Sequence, residues 1–312
     1  MRFRRTTVLA VCTLAVAALV VVAPAGSAAR PEPGAWSSAV RVETLPGTDP
    51  SFNGPVLDGC PFESPDGKSF FMASTRAGGL GGIDIWMATR ASADDPWGAP
   101  VNVGAPINSV HNDFCPTMSR DGHTFFFVSN RPGHCGGDDV FVVRRLAEGW
   151  GDAANLGCDT HGGPNSVGNE AGPFPSNEAG VGPALYFSST RSGGGDIYRA
   201  DSHGGSYGLA VPVAELNTGS VEGQPNLRRD GLEIYFFSNR QGNNDIYVAT
   251  RDHPTAPWST PVNLGSAVNS AASETRPSLS WDGTTLYFGS DRAGGEGGAD
   301  TYVTYRCMQP SC

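Results

Sequence analysis

A chain of 312 residues is long enough for one large domain or two ordinary ones, and with 15 Phe, 8 Tyr and 6 Trp it is too aromatic for disorder. A net charge of −10 excludes the basic footprint that nucleic-acid binding requires. With 42 Gly, 24 Pro and little helical periodicity, the composition points to a turn-rich all-β protein.

Residues 1–29 read as an export signal. Arg2, Arg4 and Arg5 give a positive start, the run 7–23 is apolar, and Ser27, Ala28 and Ala29 offer a small-residue cleavage site. An uncleaved anchor is the alternative, because the run approaches spanning length. Arg4-Arg5 leaves the general and twin-arginine export routes both open. Cys12 follows Val11 rather than a small residue, so no lipid anchor is expected. The mature chain is expected to be secreted, periplasmic or on the cell surface, with no membrane contact beyond the signal. Six cysteines remain in it, and an even count in an exported chain favours disulfides.

After a Pro-rich linker, residues 30–35, three elements recur five times. The first is an aromatic-led strand beginning at Trp36, Trp97, Trp150, Tyr207 and Trp258. Several copies contain proline, which cannot donate to a ladder, so they belong at sheet edges. The second element carries Pro61, Pro116, Pro173, Pro225 and Pro277. Three residues before each proline stands a carboxylate: Asp58, Asp113, Glu170, Glu222 and Glu274. Five residues earlier stands an asparagine: Asn53, Asn108, Asn165, Asn217 and Asn269. Asp-Gly turns follow at Asp66, Asp121, Asp230 and Asp282, while the third copy departs with Glu178-Ala-Gly-Val-Gly. The third element is an apolar strand ending on Arg76, Arg131, Arg191, Arg240 or Arg292. A Gly-rich turn then leads to a strand opening on Asp84, Asp139, Asp196, Asp245 or Asp300.

Each repeat therefore supplies four strands, and four-stranded units of about 50 residues are propeller blades. The chain opens with a lone edge strand at Trp36 and ends three strands into its fifth unit. A five-bladed β-propeller over residues 36–306 follows, closed by that strand joining the last blade. A Cys-containing tail, 307–312, remains. The unit P-x-x-S-x-D-G-x-x-L-Y-F-x-S-x-R-x-G-G-x-D-I-Y resembles the TolB-type, or WD-like, propeller repeat. The resemblance implies an extracytoplasmic binding or scaffold protein without catalysis of its own. TolB has six blades and a further α/β domain that this chain lacks, so its partner is not implied.

Across one turn, an Arg76–Asp84 type of pair is expected in every blade. The end carrying these groups should be acidic, and Asp58, Asp113, Glu170, Glu222 and Glu274 are candidate binding groups around the channel mouth. The competing reading is that they cap backbone N–H groups. No cofactor is expected, although a calcium ion is compatible with an open carboxylate ring. Symmetry breaks just before the repeat proline, at Cys60, Cys115, Gly172, Gln224 and Arg276. Gln224 and Arg276, with His111, Phe114 and His134, complete the candidate binding set; Asp138 and His161 are also blade-specific. Expected disulfides are Cys60–Cys115, Cys135–Cys158 and Cys307–Cys312.

No G-x-S-x-G or H-E-x-x-H motif occurs, and the Gly-rich turns lead into strands, so they are not phosphate loops. The expected function is a monomeric, non-catalytic propeller recognising a protein or cell-envelope glycan through loops on its acidic face. The alternative is a secreted glycan-active hydrolase, for which Glu63 and Asp138 are the carboxylates outside the repeat pattern.

Overall fold

The computed structural model describes residues 34–306. The signal segment, most of the linker and the Cys307–Cys312 pair lie outside the described residues. Blade one consists of Asp58–Glu63, Ser69–Ser74, Asp84–Thr89 and Val101–Asn102, antiparallel and paired in that order. Blades two and four repeat this over 113–155 and 222–263. Blade three is longer: its inner strand is Glu170–Glu178, and its third strand, Asp196–His203, also pairs with Ser206–Tyr207.

Blade five takes Glu274–Leu279, Thr285–Ser290 and Asp300–Tyr305 from one end of the chain and Val40–Arg41 from the other. Val40 lies opposite Val303 and Arg41 opposite Tyr302, so the ring closes as the repeat count requires. Trp36 precedes the paired residues, meets Tyr235 edge-on at 6.1 Å, and carries the Arg306 guanidinium over its face at 4.8 Å. The inner strands touch one another around the ring, which places them on the axis.

Period two along a strand explains the unbroken apolar runs. Phe125 and Phe127 point into the interface with blade one, beside Phe71 and Ile85, whereas Phe126 points the other way, beside Leu185 and Tyr198. Each interface between neighbouring blades is filled by such a cluster. Burying one of these rings contributes about 1.5–3 kcal/mol.

The asparagines join blades. Asn108 accepts from the Ile85 N–H at 2.9 Å and donates to the Ile85 carbonyl at 2.8 Å, across the boundary between blades one and two. Asn165, Asn217 and Asn269 bracket Val140, Ile197 and Ile246 in the same way. Asn53 brackets Thr301 over the closure.

Each regular inner strand is bulged at its proline, with the ladder skipping from Gly59 to Phe62 in blade one. Proline suits the bulge because it brings no N–H that would be left unpaired. The residue before it takes a left-handed backbone: φ is 49° at Cys60, 48° at Cys115, 57° at Gly172, 52° at Gln224 and 59° at Arg276.

Candidate functional site

The end of the propeller expected to be acidic is built differently. Asp58, Asp113, Glu170, Glu222 and Glu274 have no exposed surface. Each is ion-paired, to Arg76, Arg131, Arg191, Arg240 and Arg292 respectively, at 2.6–3.1 Å. Their second oxygens accept backbone N–H groups four residues upstream, from Gly54, Ser109, Ser166, Thr218 and Ser270. The solvent-open ring of binding carboxylates is therefore not formed; these groups cap turns.

The arginine partner differs from expectation too. Asp84 turns away to accept the Leu80 and Gly81 N–H groups and the Asn102 amide, which leaves Arg76 to the inner-strand Asp58. Among the described residues no cluster of three or more His, Cys, Asp or Glu could hold a metal. Melting temperature should accordingly be the same in millimolar calcium and in chelator. A rise with calcium would show that the carboxylates open.

The other candidates do not converge. His134 is exposed; His111 is half-buried, with its N–H on the Ser109 hydroxyl. Phe114 packs beside the Cys60–Cys115 pair. Asp138 is held through its backbone N–H by Asn169, and burial raises its carboxyl pKa. Glu63 sits at the other end of a blade, because inner strands finish where third strands finish turning back. A six-residue strand, roughly 20 Å long, separates the two ends.

Glu63 also has partners: Arg90 at 3.1 Å and the Tyr287 hydroxyl. Burial raises its pKa, opposed by those two groups. Glu63 and Asp138 thus form no acid–base pair across one substrate, since such carboxylates stand roughly 5–9.5 Å apart.

On the axis, the left-handed residues aim inward. Cys60 and Cys115 are bonded, with Cα atoms 4.8 Å apart, as their shared register predicts. Cys135 and Cys158 are bonded too, at 5.5 Å. Gln224 and Arg276 line a small axial cavity with the disulfide and Gly172, rather than standing on loops.

The largest departure from fivefold symmetry lies at the opposite end, where inner and second strands are joined by turns reading Ser-x-Asp-Gly in blades one, two and five and Arg228-x-Asp-Gly in blade four. Position x is Pro65, Arg120, Arg229 and Trp281 in the regular blades, and blade three substitutes its longer hairpin. That hairpin walls a cleft of about 560 Å³ between blades two and three, reaching Trp281 near the axis. Arg120, Arg144 and Arg229 border it with Phe126, Phe174 and Tyr207. All three arginines are exposed, and among the described residues none of their side chains makes a hydrogen bond or ion pair.

Arg228 beside them is neutralised by Asp230 and Glu233, and Glu178 by Arg251. Nothing in the repeat consensus marks this site. The signal was the variable position inside the turn.

No family model matches the chain, and no curated protein matches it. Solved structures do. The α-L-arabinofuranosidase of Podospora anserina in complex with cellotriose aligns with a TM-score of 0.55 and 13% identity, over 91% of this chain and 99% of that one. The endo-arabinase of Bacteroides thetaiotaomicron gives 0.54 and 12%, over 88% and 99%. A protein of Agrobacterium tumefaciens described as a putative TolB gives 0.49 and 17%, over 90% and 100%. These likenesses show the fold alone.

Proposed function

We propose that this protein is an exported, non-catalytic binding propeller that takes an acidic cell-envelope glycan into the cleft between blades two and three. The observation that carries the reading is the group of Arg120, Arg144 and Arg229, cations without an ion pair among the described residues on a chain of net charge −10. A guanidinium fork suits a sugar carboxylate or phosphate, and the aromatic rings of Trp281 and Tyr207 suit the apolar face of a sugar. The TolB-type resemblance of the repeat agrees with a binding role. Its two internal disulfides fit an oxidising compartment. We favour it over a hydrolase because, among the described residues, the small axial cavity is lined by no carboxylate and the five inner-strand carboxylates are buried in ion pairs.

Affinity electrophoresis tests this, with gels carrying polygalacturonate, alginate or neutral mannan. Retardation by an acidic polymer is expected, weakening with salt. The variant R120A/R144A/R229A should lose it, roughly tenfold or more in affinity, with its melting temperature unchanged. No retardation by either acidic polymer, or equal retardation by mannan, rejects the acidic-glycan reading. Release of reducing ends would favour the hydrolase.

A further inference from the structure

Among the described residues, Arg276 is the one charged side chain lining the axial cavity. It stands on a left-handed backbone, φ 59°, in the bulge of blade five, and its guanidinium reaches over Gly59 of blade one. It makes no hydrogen bond or ion pair among the described residues, and its Nε is buried without a partner. Glu274, two residues before it, and Asp58, next to Gly59, are already committed to Arg292 and Arg76. Burial lowers the Arg276 pKa, yet a guanidinium stays protonated in proteins. A half-buried guanidinium with no counter-charge and a sealed, unpartnered Nε is costly, as is the left-handed backbone that carries it.

The cavity beside it narrows the class of compensating ligand. It measures about 40 Å³ and is walled by proline rings and the Cys60–Cys115 disulfide. Gly172 keeps it open, since a Cβ there would stand 2.7 Å from Gln224. Gln224 offers its Nε2 only to the Cys115 sulfur, at 3.4 Å, and its buried Oε1 has no partner. Amide oxygen and nitrogen exchange places by a half-turn, which would present the N–H₂ instead. A space of this size holds about one small ion and excludes a carboxylate-bearing chain.

We infer that a single weakly hydrated monovalent anion of the halide class binds on the propeller axis, held by Arg276 and Gln224. It neutralises the Arg276 guanidinium at the ring centre and so links five blades through one ion. The site is independent of the glycan cleft.

Thermal unfolding in chloride from 1 to 300 mM, with ionic strength held constant by gluconate, reads the site by mass action. A rise of about 5 °C is expected for the natural protein. Arg276→Gln should abolish the dependence, while R120A/R144A/R229A should retain it. Diffraction from crystals grown in bromide should show an anomalous peak within hydrogen-bond reach of the Arg276 guanidinium, and this arm needs no variant to fold. A flat chloride response with only water on the axis overturns the inference. So does a chloride response lost in the cleft variant, which would move the ion to the cleft.

Discussion

Asp113→Ala should destabilise the protein by about 3–5 kcal/mol, because it strips the buried counter-charge from a half-buried arginine. Asp113 has no exposed surface and holds Arg131 at 2.6 Å. Its other oxygen accepts both the N–H and the hydroxyl of Ser109. Arg131 cannot move to water easily, since it lies over Phe127 at 4.8 Å and donates to the Pro106 and Ile107 carbonyls. Urea unfolding at pH 7 measures the loss, which corresponds to a fall in melting temperature of roughly 10 °C. Asp121→Ala is the control: that carboxylate is exposed and caps its own turn through Ser119 and His123. Its loss should cost about 1 kcal/mol. Equal costs at the two positions would mean that the inner-strand carboxylates face water after all.

Replacing Cys60 and Cys115 together with alanine should cost about 4 kcal/mol, the loop-closure value for a 55-residue separation. The Cys135–Cys158 pair spans 23 residues and should cost about 3 kcal/mol. The axial pair should also resist reduction in the folded protein, because both cysteines are buried within the ring of inner strands, whereas Cys135 is half-buried at a turn. Thiol labelling under increasing reductant, before and after mild urea, separates the two. If the axial pair reduced first without urea, the ring centre would be more open than its burial indicates.

What could be read from sequence was what repeats. Five copies of an apolar strand, a Gly-rich turn and a proline in one register specify blades, and the displaced Trp36 strand specifies closure. These signals are local: a period of two, a turn residue, a proline that cannot donate. The Cys60–Cys115 disulfide was legible for the same reason, since equal register on adjacent blades implies proximity. The partner of each arginine was not legible. Asp84 is eight residues from Arg76 and Asp58 is eighteen, yet folding pairs Arg76 with Asp58, because Asp84 is drawn to the turn that it opens. Whether a carboxylate ring faces water or is sealed depends on desolvation, and that depends on every group packed around it. The cleft depended on blade three's longer hairpin standing beside turns from three other blades. The axial cation depended on five bulges meeting at one point. Repetition determines which strands form and in what order; only packing across the ring decides which charges remain without a partner.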